Sequence, residues 1–192
     1  MIAILKYNAG NIASVKNALN RLGTISLITD DMQELKNADK VIIPGVGEAA
    51  SAMDYLRDKG LDELIISLKQ PVLGICLGLQ LLCRYSEERD TKCMGIFDAD
   101  VHLFPPLDII PHMGCNNVSS IKGDLFKGIN ESDNFYFVHS YYAGISSQTS
   151  AVCDYILPFS AALQKDNFYA VQFHPEKSAG AGEQLLKNFL AL

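Results

Sequence analysis

A chain of 192 residues with 48% hydrophobic content is long enough for one substantial core and short for two, so a single domain spanning 1–192 is expected. A formal net charge of −6, from 22 acidic against 16 basic residues, and the lack of a basic run leave no electrostatic footprint for nucleic acid or an anionic membrane. Five cysteines without a C-x-x-C pair argue against a disulfide framework or a zinc knuckle; with only a short apolar stretch ahead of Lys6 and no run of membrane-spanning length, a cytoplasmic protein without metal or cofactor is expected.

Taken in chain order, residues 2–5 read as a first strand. Beyond the Tyr7-Asn8-Ala9-Gly10 loop, apolar residues at Ile12, Val15, Leu19 and Leu22 predict an amphipathic helix, with Asn11 as N-cap and Gly23 just past its end. Residues 25–28 make a second strand, Asp30 or Asp31 caps a short helix running through Leu35, and residues 40–43 form a third strand that ends in Pro44-Gly45-Val46-Gly47. Two helices, 48–59 and 61–68, split at Gly60, and a strand at 72–75 leads into Cys76 and a further helix. This alternation predicts an α/β fold: a mixed, largely parallel central sheet with helices on both faces and ligands at the carboxyl ends of its strands. From Cys93 onward the stretches 94–103, 118–121, 135–142, 151–157, 160–164 and 168–173 are strand-like, and a helix closes the chain at 182–192. These add antiparallel strands to the same domain.

The chemistry centres on Gly74-Ile75-Cys76-Leu77-Gly78, where an apolar strand runs into a glycine-bracketed cysteine and then a helix, the plan of a nucleophile elbow. A nucleophile on so sharp a turn has room only if its neighbours two positions away are small. A lone cysteine in an apolar run is ordinarily just a small hydrophobe, so partners must support the catalytic reading. Of the four histidines, His102 reads as structural and His112 and His139 are ambiguous. His174 ends an apolar strand in Gln172-Phe173-His174-Pro175-Glu176; if the backbone stays extended, Glu176 projects to the same side and can hold the imidazole in the tautomer that faces Cys76. Pro44-Gly45-Val46-Gly47 lies at the same sheet edge, where its backbone N–H groups could stabilise an oxyanion.

Gly-x-Cys-x-Gly, Pro-Gly-Val-Gly and His-Pro-Glu, each at a strand end, together resemble the class I, triad-type glutamine amidotransferases. Tyr7-Asn8-Ala9-Gly10-Asn11, Pro111-His112-Met113-Gly114, Phe137-Val138-His139-Ser140-Tyr141 and Phe173-His174-Pro175-Glu176-Lys177-Ser178 resemble, more narrowly, its glutaminase subunits of histidine biosynthesis. The resemblance implies that Cys76 is the nucleophile, His174 the general base and acid, and Glu176 the group orienting His174. It implies an oxyanion hole from the backbone N–H of Leu77 and one from the Val46-Gly47 peptide; Val46 and Gly47 themselves suggest that this peptide points its N–H away from the pocket until a partner binds. Gln80, Glu88, Ser140 and Tyr141 fall where similar enzymes contact L-glutamine, with Glu88 also readable as part of a solvated, charged helix end. The implied partner is a HisF-type (β/α)8 cyclase subunit in a heterodimer. Other readings are the same chemistry serving a surface-sugar or vitamin B6 synthase, and a non-enzymatic regulatory domain. One departure is Cys115, where similar proteins carry Trp in a loop expected at the partner interface.

Overall fold

The computed structural model describes residues 1–192. Its first half alternates as expected: β1 (Ile2–Leu5), α1 (Ile12–Arg21), β2 (Ser26–Thr29), α2 (Met32–Asn37), β3 (Lys40–Ile43), α3 (Ala49–Asp58), α4 (Leu61–Ser67), β4 (Val72–Ile75) and α5 (Leu77–Leu82). The second half carries β5 (Tyr85–Ser86), β6 (Thr91–Lys92), β7 (Asp100–Leu103), β8 (His112–Asn117), β9 (Asn134–His139), β10 (Tyr141–Ala143), β11 (Thr149–Tyr155), β12 (Leu157–Lys165), β13 (Phe168–Val171) and α6 (Ala179–Ala191). No helix is long and apolar enough to cross a membrane.

Seven strands form the central sheet in the order β11-β12-β13-β4-β3-β1-β2. The five from β13 to β2 are parallel, and β11 and β12 extend the sheet antiparallel at one edge. Strand alternation divides the apolar side chains between two cores. Ala3, Leu5, Val41, Ile43 and Val72 face a core completed by Leu35, Met53, Leu56, Ile65 and Leu82 from α2 to α5. Ile4, Ile42, Leu73 and Ile75 face the other, completed by Leu19 of α1, Leu185 and Phe189 of α6, and Phe135 and Phe137 of β9. Burial on both faces is why β1 and β4 are apolar throughout instead of alternating.

Several boundaries differ from the sequence reading. The second strand begins at Ser26, and Ile25 stands 81% exposed. Of the stretch 94–103 only Asp100–Leu103 is strand, although Met94, Ile96 and Phe97 are buried as loop residues. The stretch 118–121 is not a strand; the neighbouring strand is β8, whose sequence His-Met-Gly-Cys-Asn-Asn carries no β-branched residue to signal it. The stretch 135–142 breaks at Ser140 into β9, which pairs with β8, and β10, which pairs with β7. The last helix starts at Ala179. Asn11 precedes α1 in a left-handed conformation (φ 69°) and makes no cap with its side chain, whereas Asp31 caps α2 through Gln33 and Glu34 N–H.

The elbow is packed closely against the sheet. A methyl group on Gly78 would run into the Ile43 carbonyl of β3, and one on Gly74 would lie 2.8 Å from the Gly78 backbone. Both contacts are with backbone, which cannot yield as a flexible side chain can. Gly78→Ala is therefore expected to lower stability by about 3 kcal/mol, read as a fall in the urea midpoint. Gly180→Ala in α6, where nothing lies within 4 Å, should be neutral or stabilising.

Candidate active site

Cys76 follows β4 and precedes α5 with φ 53° and ψ −106°, a conformation that L residues rarely adopt. Its N–H donates to the Val171 carbonyl of β13 (2.8 Å), which joins the elbow to the neighbouring strand. The side chain opens onto a cavity of about 290 Å³ whose wall includes Val46, Gly47, Leu77, Gln80, Glu88, Ser140 and Tyr141. The structure thus brings the residues expected around glutamine together at the carboxyl end of the sheet.

His174 reaches Cys76 from the adjacent strand end. Its N–H donates to Tyr136 O (2.8 Å) and its carbonyl accepts from Ser178 Oγ (2.6 Å), so the backbone is held on both sides. The chain does not remain extended: His174 is extended, and Pro175–Lys177 then turn as a 3₁₀ helix. That turn still brings Glu176 Oε1 to 2.8 Å from His174 Nδ1, both side chains being fully buried. A carboxylate oxygen only accepts, so Nδ1 carries the proton and the lone pair of neutral His174 resides on Nε2. That Nε2 is buried with no hydrogen-bond partner, so no fixed group occupies the position from which a proton could be given or taken. Burial opposes charging of His174, but Cys76 and Glu176 outweigh it and raise its pKa to about 9. Asn11, which the sequence suggested as a helix cap, instead donates its side-chain amide to Glu176 Oε1.

Three successive carbonyls of the glycine-rich turn are engaged: Pro44 O accepts from Tyr7 Oη, Gly45 O from Leu77 N–H (3.2 Å) and Val46 O from Gly10 N–H (2.9 Å). The Gly47 N–H makes no hydrogen bond. Gly47 and Leu77, the residues expected to supply the oxyanion donors, both line the cavity, with the Leu77 N–H engaged by Gly45. Glu88 is not on a helix end: it lies in the turn between β5 and β6, followed by left-handed Arg89 and Asp90. Its Oε2 accepts from Ala49 N–H at the start of α3 (2.6 Å).

Sequence reasoning missed two features of this site. Gln172, fully buried, donates from Nε2 to Cys76 Sγ at 3.5 Å; the pairing of Ile75 with Val171 places these two residues side by side. His112 and His139, left ambiguous, form a buried pair, with Nδ1 of the first 3.1 Å from Nε2 of the second. His139 Nδ1 donates to Tyr141 O (2.7 Å), which leaves its Nε2 as acceptor and makes His112 Nδ1 the donor. Burial lowers the pKa of His112 to about 4 and that of His139 to about 3. His102 is at the surface, paired with Glu87 at 2.9 Å.

A family model described as glutamine amidotransferase class-I matches residues 4–192. Among curated proteins, the chain is 59% identical to the imidazole glycerol phosphate synthase subunit HisH of Bacteroides fragilis (strain YCH46), covering 100% of this chain and 99% of the relative. It is 47% identical, with the same coverage, to the protein of that name from Salmonella typhimurium. Among solved structures, a putative GMP synthase subunit from Thermoplasma acidophilum superposes with a TM-score of 0.78 at 21% identity, covering 100% of this chain and 92% of that one. At that identity the likeness speaks for the fold.

The histidines divide by sign in their effect on stability. For His112 and His139 the folded-state pKa lies below the unfolded value near 6.5, so the unfolded chain binds more protons and stability is lost as pH falls through that range. His174 is the reverse: its contribution is complete below about 6.5 and lost as pH rises through about 9. The urea midpoint is expected to fall between pH 6.5 and 5, where most carboxylates remain ionised, and His112→Gln should flatten that slope.

Proposed function

The chain belongs to the class-I glutamine amidotransferase family, and from that premise we propose that it is the glutaminase subunit of an imidazole glycerol phosphate synthase in histidine biosynthesis. Full-length identities of 45% to 59% with curated HisH proteins support that assignment over a surface-sugar or vitamin B6 synthase. The single observation that carries the chemistry is the buried His174–Glu176 pair, with its free Nε2, beside a cysteine on a strained elbow.

The Cys76 thiolate attacks the γ-carboxamide carbon of L-glutamine, and the electron pair of the C=O bond moves onto oxygen. The N–H groups of Leu77 and Gly47 receive that oxyanion, the first by exchanging its bond to Gly45 O for one to substrate. His174, protonated at Nε2 and steadied through Nδ1 by Glu176, gives its proton to the departing nitrogen. Ammonia leaves and a thioester remains on Cys76. Nε2, now neutral, takes a proton from water as that water attacks the thioester, and glutamate departs with the thiolate restored. The unshared Glu88 oxygen suits the substrate ammonium, and Gln80, Ser140 and Tyr141 complete the glutamine pocket.

Ammonia loses its nucleophilicity once protonated in bulk water, so delivery through a closed interface is chemically useful. The receiving partner is a HisF-type (β/α)8 cyclase, which joins this nitrogen to its ribonucleotide substrate to give imidazole glycerol phosphate and an aminoimidazole carboxamide ribonucleotide. We place this reaction in the cytoplasm. Cys115, exposed on β8 opposite Tyr136, lies on the hairpin expected to face that partner.

Glutamate release should rise on adding a HisF-type cyclase with its nucleotide ligand, and Cys76→Ala or His174→Ala should lower it by at least about a thousandfold. Activity surviving in Cys76→Ala would refute the nucleophile; a glutaminase rate indifferent to the cyclase would refute the partner.

A further inference from the structure

A carbonyl oxygen can only accept hydrogen bonds, and that of Tyr141 receives two buried side chains: His139 through Nδ1 and Gln80 through Nε2, the latter at 3.1 Å. This contact fixes which way the Gln80 amide faces. The other proton on Gln80 Nε2 goes to Gln172 Oε1 at 3.2 Å, which fixes the second amide in turn. Gln172 Nε2 is thereby directed at Cys76 Sγ, 3.5 Å away. The reverse orientation of Gln172 would set one amide nitrogen against another and leave buried donors unpaired.

We propose that Gln172 is a catalytic residue whose side-chain N–H stabilises the Cys76 thiolate, with Gln80 as the positioning residue that keeps it in the donating orientation. The inference rests on the reading of Cys76 as nucleophile and adds a group that His174 cannot replace. The imidazolium favours the thiolate only while it holds its proton, and it surrenders that proton to ammonia. The Gln172 amide remains a donor at every step. It therefore also favours the thiolate as leaving group when the thioester breaks down, a step in which His174 begins neutral and takes a proton from water. The other contact to the sulfur runs the opposite way: Val138 O, at 4.0 Å, can accept only from a thiol. The titratable groups beside Sγ are His174 and Tyr7, and Glu88, His139 and Tyr141 line the same cavity.

The test is alkylation of Cys76 by iodoacetamide from pH 5 to 10 in the full chain, followed by peptide mass mapping so that exposed Cys115 is counted separately. Gln172→Met keeps the length of the side chain and removes the donor. Its alkylation profile is expected to move toward alkaline pH by about one unit, the size of a hydrogen bond to a charged group. At high pH, where all of the thiol is ionised, the variant should react as fast as wild type or faster, because a less stabilised thiolate is the better nucleophile. A structural defect would not produce that crossing. With the cyclase bound, glutamine turnover should fall about tenfold in kcat with little change in KM. A profile superimposable on wild type, in a variant that unfolds cooperatively, would overturn the proposal. Should Gln172→Met not fold, Gln80→Met releases the Gln172 amide from its orientation, and an alkaline shift there supports the proposal while an unshifted profile overturns it. A wild-type Cys76 no more reactive than Cys115 would instead overturn the nucleophile reading, and this inference with it.

Discussion

The left-handed backbone at Cys76 is tolerated because the chain around it is locked by contacts that leave no slack. Its N–H is held by Val171, Gly78 approaches the Ile43 carbonyl too closely for any side chain, and Gly74 lies against the Gly78 backbone. The strain of a non-glycine residue at φ 53° costs on the order of 1–3 kcal/mol, and it is sustained by two hydrophobic cores that meet across β4. Were β4 at a sheet edge, half of those contacts would be missing. Its central place between β3 and β13 sets the glycine-rich turn after β3 on one side of the sulfur and the Gln172 to Glu176 segment on the other.

The second organising feature is a buried polar network in a molecule whose cores are otherwise apolar. An unsatisfied buried amide or imidazole costs about 1–3 kcal/mol, so fixed partners for these groups matter to stability. Here the fixing runs outward from backbone carbonyls and a carboxylate, which have no alternative role. The Tyr141 carbonyl sets the orientation of Gln80 and Gln172 on one side and the tautomers of His139 and His112 on the other. Glu176 does the same for His174. Two histidines are thus kept neutral by burial, while a third, within the same site, is driven toward the charged form because its neighbours can be anionic. Environment, and not residue type, separates the one that can move a proton from the two that hold position.

These two features differ in how far a sequence discloses them. The elbow is local: apolar strand, small residue, cysteine, small residue and helix follow one another along the chain, and the steric argument for Gly74 and Gly78 needs only that order. The parallel half of the sheet was legible for the same reason, since strands buried on both faces are short, apolar and punctuated by glycine or helix caps. β8 is not legible because it is held by stacking of His112 on Tyr155 of β11 (centroids 4.0 Å apart) and on Phe137 of β9, contacts that join distant positions. Gln172 adjoins two residues that the motif does expose, yet its role depends on the register of β13 against β4, and register is not written in either strand alone. Asn11 was misread because asparagine suits both a helix cap and a left-handed turn; only Glu176, 165 positions away, decides between them.

That same asparagine belongs to a brace connecting both halves of the site. Soon after β1, Tyr7 holds the Pro44 carbonyl, Gly10 holds the Val46 carbonyl and Asn11 holds Glu176. A methyl group on Gly10 would meet the Val46 side chain at 2.8 Å, so loop and turn are in contact as well as hydrogen-bonded. The β1–α1 loop thus fixes the glycine-rich turn on one side of Cys76 and, through Glu176, the His174 imidazole on the other. Because the peptide plane couples the Val46 carbonyl to the Gly47 N–H, the Gly10 bond also sets the direction of the Gly47 amide, which has no partner of its own. A displacement of the loop by a fraction of a hydrogen-bond length is therefore felt on both sides of Cys76 at once, at the Gly47 amide and at the His174 imidazole.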